Sequence, residues 1–295
     1  MAKNWIRCVC GEQNLQEISQ HPGVFVNSKG KYDKSKIMIG HCSQCGLVRS
    51  TDPPFADEQE FMNYYKTKYP PTKSSYTEKF YEKDYALAKQ RCDVYDIRKG
   101  SGGRILDIGS GSGAFVDLCR ELGVEAYGCE ISEYAYRKDN DFIYYGQFED
   151  LNFPTDYFDR VTCHDVIEHV PAPGQFMEQV FRVTRQRGIC VMELPYFFGM
   201  NHLHHWKEEH LWYFTAEQLG DLLRKIGFEI VAVTRPVESK VVFFILKPNQ
   251  KRPKILLPPG IGDSYWSVVK LRAFLEREKL GLPDMYIACP REKEY

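Results

Sequence analysis

No stretch of this chain reaches the roughly 18 to 20 consecutive apolar residues that a membrane span needs. The longest apolar runs, such as "VVFFIL" at 241–246, are strand-sized. A basic excess is missing too. Lysine and arginine total 39 against 40 aspartates and glutamates, for a formal net charge of −1, which argues against a nucleic-acid partner. The opening residues, "MAKNWIRCVCGEQNLQEIS", lack a charged start followed by an apolar run, so no secretory signal is expected there. Internal repeats and low-complexity tracts are also absent. The expectation is a cytoplasmic, globular protein with no membrane span. Its ten cysteines are then thiols or metal ligands rather than disulfides.

What is present divides into four zones. Residues 1–50 hold two cysteine pairs with glycine-bearing turns, expected to form a zinc-ribbon-like module. Residues 51–98 form an aromatic, charged connector broken by proline pairs at 53–54 and 70–71. Residues 99–247 alternate strand and helix signals. A basic joint, "KPNQKRPK", opens the last zone, 248–295. In the third zone "RILDIG", "EAYGCEI", "FDRVTCHDV" and "GICVMELP" read as strands. "GAFVDLCRELG", "PGQFMEQVFRVTR" and "TAEQLGDLLRKIGF" read as helices, the last with Thr215 as N-cap. "EIVAVTRP" and "KVVFFILK" follow as two adjacent strands, expected to close the sheet as an antiparallel edge hairpin. The pattern predicts an α/β fold around a mostly parallel sheet covered on both faces.

"LDIGSGSGAF" follows a strand and opens a helix. Gly109, Gly111 and Gly113 allow a tight turn and close approach to a ligand. Asp107 sits at the strand end. Glu130 ends the next strand, where a carboxylate can accept bonds from both ribose hydroxyls. The pattern is D-x-G-x-G-x-G rather than G-x-G-x-x-G, which favours S-adenosylmethionine over a dinucleotide, since no pyrophosphate has to be held.

With these residues in place, the chain over about 80–247 resembles the class I S-adenosylmethionine-dependent methyltransferases. The resemblance implies a Rossmann-like seven-stranded sheet with Glu130 as ribose ligand. It also implies that "YGQFEDL" runs past the adenine, which brings in Gln147 and Phe148. The family often has Asp where this chain has Gln147. "CHDVIEHV" lies at the carboxyl end of the sheet, where ligands bind, and His164 is placed on the donor side there. Related methyltransferase groups hold a divalent metal with an E-x-x-E-H-like pattern. The matching residues are Asp165, Glu168 and His169, a set suited to Mg or Mn. The bland alternative is that Glu168 and His169 bond locally and frame the substrate mouth.

"CVCGE" and "HCSQCGL" place Cys8, Cys10, Cys42 and Cys45 as ligands of a structural Zn2+. His41 is a possible substitute for one sulfur, and free thiols are the alternative. The order of cysteine module, aromatic connector and methyltransferase core resembles sugar C-methyltransferases of deoxysugar pathways. That resemblance implies a catalytic base at His210 with Glu209 beside it, in "EEHLWYFT"; packing of His210 against the sheet is the competing reading. The spacing of His202, His204, His205 and His210 does not suit a metal site; His204, His205 and Trp206 are read as pocket-lining or solvent-facing, and Tyr64, Tyr65 and Tyr76 as pocket-lid candidates. The last zone resembles the start of a glycosyltransferase-B-fold, heptosyltransferase-type domain. This implies a fused or associated glycosyltransferase, with Asp263 on its acceptor side. The expected activity is methyl transfer from S-adenosylmethionine to a sugar, sugar nucleotide or glycan precursor. The rivals are a metal-assisted O-methyltransferase of a quinone-like molecule, and a non-enzymatic scaffold of the same fold.

Overall fold

The computed structural model describes residues 5–6, 8–10, 15–21, 25–26, 32–33, 37–69, 77–133, 140–195, 209–237, 240–247, 255–257 and 285–287. His202, His204, His205, Trp206, Tyr76 and Asp263 lie outside the described residues. The elements run β1 (Leu15–His21), β2 (Phe25–Val26), β3 (Tyr32–Asp33), β4 (Ile37–Cys42), β5 (Val48–Ser50), α1 (Glu58–Thr67) and α2 (Glu78–Val94). They continue with β6 (Arg104–Ile108), α3 (Ala114–Glu121), β7 (Glu125–Glu130), β8 (Ile143–Tyr145), β9 (Phe158–His164), α4 (Pro173–Val183) and β10 (Thr184–Pro195). Last come β11 (Trp212–Tyr213), α5 (Ala216–Ile226), β12 (Glu229–Val237), β13 (Lys240–Leu246), β14 (Ile255–Leu257) and β15 (Met285–Ile287).

Seven strands form the central sheet in the order β12-β13-β10-β9-β6-β7-β8. The β6, β7, β8, β9 and β10 pairings are all parallel. β13 pairs antiparallel with both β10 and β12. The Rossmann-like, mostly parallel sheet is therefore present. The expected antiparallel edge hairpin is present as well, with β12 at the edge and β13 inserted beside β10. The composition explains this. Residues 241–246 are buried without interruption, as an inner strand covered on both faces must be. β8 is the strand that residue patterning alone had not marked, because only three residues pair.

Two apolar clusters cover the two faces. Ala88, Cys92, Phe115 and Cys119 of α2 and α3 pack on one side with Ile105, Val191 and Phe244. Phe176, Val180, Leu219 and Leu223 of α4 and α5 pack on the other, in a cluster that also takes in Ile6, Leu47, Phe61 and Trp212. The caps agree with the sequence. Thr215 accepts from the Gln218 amide, and Gln218 reciprocates, closing a capping box on α5.

The second sheet runs β1-β4-β5-β11. β11 comes from "EEHLWYFT", read from sequence as a loop, and pairs antiparallel with β5. The N-terminal cysteine region is thus hydrogen-bonded to a segment far along the chain. Arg49 in β5 is 1 % exposed, its guanidinium lies 5.9 Å from the Trp212 ring centre, and it donates to the Ile6 carbonyl. β14 and β15 pair in parallel; the helix of the β-α-β reading lies outside the described residues. Among the described residues, no helix is long and apolar enough to cross a membrane.

Candidate active site

A cavity of about 350 Å³ opens at the carboxyl ends of β6, β7 and β9. One half is built by the glycine loop. Gly109 (φ +72°) and Gly113 (φ +79°) occupy the left-handed region, and a Cβ at either would come within 2.6 or 2.5 Å of Val166 or Ile143. A side chain is therefore excluded twice, by conformation and by space. Gly109 and Gly111 line the cavity, whereas Gly113 serves as N-cap of α3. Glu130 is buried at the end of β7. Its carboxylate accepts from the Gly111 and Ser132 amides, both at 2.8 Å. Burial raises its pKa, opposed by those amide bonds.

Asp107 accepts from the Thr162 hydroxyl at 2.6 Å and lies 3.3 Å from His164 Nδ1. The other His164 nitrogen is 2.9 Å from the Tyr95 hydroxyl, and the two rings stack at 5°. Gln147, Phe148 and His164 line the same cavity. The structure thus brings Asp107, Gly109, Gly111, Glu130, Gln147, Phe148 and His164 to one wall.

A further part of the lining, beside the glycine loop, was missed by sequence reading. Phe80, Asp84, Leu87 and Arg91 of α2 line the cavity, at the i, i+4, i+7, i+11 spacing of one helix face. Asp84 accepts from the Ser112 hydroxyl at 2.6 Å, and burial raises its pKa. Arg91 is paired with Glu193 at 3.2 Å. The stripe mixes charged and apolar residues, so hydrophobic periodicity does not reveal it.

The other half of the cavity gathers ionisable groups distant in sequence. Met62, Tyr65 and Tyr69 come from α1 and the turn after it, and Asp165 and His169 follow β9. The Tyr65 hydroxyl is 2.5 Å from His169 Nδ1, and the Glu209 carbonyl is 2.9 Å from the same nitrogen. Burial, then the Glu209 charge, holds Tyr65 well above the usual phenol range. His210 is 2 % exposed and does not line this cavity; its ring packs edge-on against His169, centres 4.7 Å apart. Glu168, His169 and His210 bring one ligand atom each to within 4.8 Å of one another. Asp165 is not in that group, so the E-x-x-E-H pattern is not gathered as read from sequence. Tyr64 packs edge-on against Tyr65 and at a tilt against Phe55 instead of lining the cavity.

The glycine loop and the lining residues from Phe80 onward belong to a recognisable domain. The methyltransferase domain family matches residues 79–233, just over half of the chain. The chain belongs to that family. Curated relatives match locally. A chloroplastic 2-methyl-6-phytyl-1,4-hydroquinone methyltransferase 2 from Oryza sativa subsp. japonica is 34 % identical over 28 % of this chain and 26 % of its own length. A ubiquinone biosynthesis O-methyltransferase from Psychrobacter arcticus is 23 % identical over 31 % of this chain and 40 % of its own. The matches therefore span well under half of either relative. Among solved structures, a Haloferax volcanii methyltransferase in complex with the Trm112 methyltransferase activator superposes with a TM-score of 0.50 and 15 % identity. It covers 60 % of this chain and 97 % of that one. The S-adenosyl-L-methionine complex of Haemonchus contortus phosphoethanolamine N-methyltransferase 2 gives 0.50 and 15 %, over 64 % and 60 %. At such identity these structures attest the methyltransferase fold.

Outside the cavity, the four N-terminal cysteines converge. Sulfur separations are 3.5 Å for Cys8–Cys45 and Cys8–Cys10, and 3.4 Å for Cys10–Cys42. His41 is not part of the group. Burial raises the Cys8 thiol and raises Cys45 to about 11. Cys42 is buried too, yet the amides of Cys45 and Gln44 bring it down to about 7. Tetrahedral thiolates around zinc, with bonds of about 2.3 Å, stand about 3.8 Å apart. The residues present fit that ion.

Proposed function

We propose that this chain transfers a methyl group from S-adenosylmethionine to a hydroxylated acceptor of the sugar, sugar-nucleotide or glycan-precursor class, with Zn2+ held by Cys8, Cys10, Cys42 and Cys45. The observation that carries the reading is one cavity with two unlike halves. One is a glycine cradle with a buried carboxylate; the other is a wall of titratable side chains. S-adenosylmethionine, when bound, supplies a methyl group already activated as a sulfonium, so the protein's work is alignment and, for a hydroxyl acceptor, removal of one proton.

Each group has a task in this reading. Glu130 presents its buried carboxylate to the ribose hydroxyls. Phe148 and Gln147 face the adenine. Asp84 and Arg91 meet the ammonium and carboxylate of the methionine end. Tyr65 and His169 face the acceptor, and Glu209 and His210 support them from behind. The sugar class is favoured by the polar, titratable acceptor wall and by the cysteine module built onto it. A quinone-like acceptor is the second reading, favoured by the two curated relatives, whose names specify hydroquinone and ubiquinone chemistry, and by the tyrosines and phenylalanines of the wall. In that reading Glu168, His169 and His210 hold a divalent metal.

Calorimetric titration of S-adenosylhomocysteine tests the donor half. Micromolar binding is expected, weakened tenfold or more (roughly 1.4 kcal/mol) by Asp107→Ala and by Glu130→Ala. No binding to the folded chain would sink the reading. Turnover on a panel of nucleotide sugars and hydroquinones, with and without a chelator, then separates the two acceptor classes.

A further inference from the structure

We propose that Arg49 is the counter-charge of the cysteine centre: its guanidinium balances the thiolates that hold Zn2+ and ties metal loading to β11. The inference rests on the zinc reading above and concerns a side chain outside the four ligands.

β5 is an inner strand of the second sheet, with β4 on one side and β11 on the other. Arg49 lies opposite Gly40 of β4 and Trp212 of β11. The side chain is 1 % exposed, and the two groups it meets carry no full charge. Nη1 donates to the Ile6 carbonyl. The guanidinium carbon is 5.9 Å from the Trp212 ring centre, at the outer reach of a cation–π contact, about 6 Å. Nε is buried without a hydrogen-bond partner among the described residues. No carboxylate among those residues pairs with the guanidinium. A buried cation without a counter-charge is strongly disfavoured, and arginine does not escape by losing its proton.

The cysteine centre supplies the missing charge. β4 ends at Cys42, and the turn into β5 carries Cys45. The Cys42 amide donates to the Leu47 carbonyl and the Gly46 amide to the Cys42 carbonyl, so the turn that presents both thiols leads straight into the strand of Arg49. Ile6, whose carbonyl Arg49 binds, stands two residues ahead of Cys8. The guanidinium is thus fastened to both arms of the centre. Negative charge on Cys8 and Cys42 favours the guanidinium, against the cost of its burial. Four thiolates carry two negative charges more than Zn2+ neutralises. The amides of Cys10, Gln44, Cys45 and Leu47 already serve the sulfurs; Arg49 adds a whole positive charge. A guanidinium suits the place, because it is more weakly hydrated than an ammonium and costs less to bury.

The test is the zinc affinity of the full-length chain, read by competition with a chromophoric chelator, together with the melting temperature with and without zinc. Wild type should hold one equivalent of zinc, lost in Cys42→Ser/Cys45→Ser. Two neutral variants remove the charge. Arg49→Gln keeps a donor for the Ile6 carbonyl, and Arg49→Met keeps an apolar stem against Trp212; either one, once folded, carries the test. Zinc affinity should fall about 10- to 100-fold, as for other groups that act through a metal's ligands. The gap between zinc-loaded and zinc-free melting temperatures should shrink with it. Arg49→Lys, which restores a charge, should recover most of the affinity. If Arg49 served only its contacts with Ile6 and Trp212, both melting temperatures would drop alike and zinc affinity would stay within about threefold of wild type. That result overturns the inference and leaves the zinc reading standing. So does a loss in Arg49→Lys as large as in the neutral variants. Failure of both neutral variants to fold in excess zinc would assign Arg49 to the fold itself and overturn the inference too. A wild-type chain that binds no zinc would overturn both the inference and the zinc reading.

Discussion

The two halves of the cavity are assembled in opposite ways. The donor half comes largely from one β-α-β unit: β6, the glycine loop, α3 and β7 supply Asp107, Gly109, Gly111 and Glu130 within a short span of chain. Parallel pairing of β6 and β7 places their carboxyl ends side by side, so local structure alone sets the geometry. The acceptor half joins residues more than a hundred positions apart. Tyr65 meets His169 across 104 positions and the Glu209 carbonyl across 144. A backbone ladder holds this half in register: Ser50 N–H donates to the Leu211 carbonyl, and Leu211 N–H donates to the Glu168 carbonyl. The Trp212 indole adds a bond to the Val170 carbonyl at 2.7 Å. Through that ladder the cysteine module serves as a buttress of the acceptor wall.

The comparison breaks most sharply at the cysteines. Cys42→Ser/Cys45→Ser should release β5, and with it β11 and the turn carrying Glu168 and His169. Turnover should fall about 100-fold, the cost of misplacing reacting groups by roughly 1 Å, while calorimetry finds S-adenosylhomocysteine affinity within threefold of wild type. Equal losses in both would mean that the halves fold as one unit and that the contrast drawn here is wrong.

A smaller effect sharpens the donor half. Arg91→Met should weaken S-adenosylhomocysteine about tenfold, as expected for losing a charge-assisted hydrogen bond, and leave adenosine, which lacks the amino-acid end, unaffected. Equal weakening of both ligands would assign Arg91 to holding Glu193 and α2 in place. Smallest is a pH effect. Glu130 accepts ribose hydroxyls only as the carboxylate, and burial raises its pKa above the usual glutamate value. S-adenosylhomocysteine affinity should therefore be full near neutrality and fall as pH drops, at a higher pH than an exposed glutamate would titrate. Glu130→Gln should bind more weakly and show a flat profile; a wild-type profile that is equally flat would remove Glu130 from the ribose.

The donor residues were readable because each answers a local demand. A tight turn needs glycine, and a strand end beside a ribose needs a carboxylate. The cysteine quartet was readable for a similar reason, since its chemistry is carried by residue type and spacing. The α2 stripe was not, because Asp84 and Arg91 fall on a helix face whose polarity looks like solvent. The position of β13 was half legible: an unbroken apolar run signals two covered faces, but only pairing energy with β10 and β12 decides between which strands it enters. His210 shows the limit most clearly. Its neighbourhood in the chain marks it for chemistry, yet a two-residue strand turns it behind His169.

Residue order thus determined whatever depends on nearest neighbours along the chain: helices and their caps, the glycine turn, the donor carboxylate, the thiol set. Tertiary structure alone decided which imidazole reaches the cavity and which hydroxyl meets it. Those contacts depend on backbone hydrogen bonds between β5, β11 and the turn after β9, and such pairings close long loops whose partners no local pattern can name.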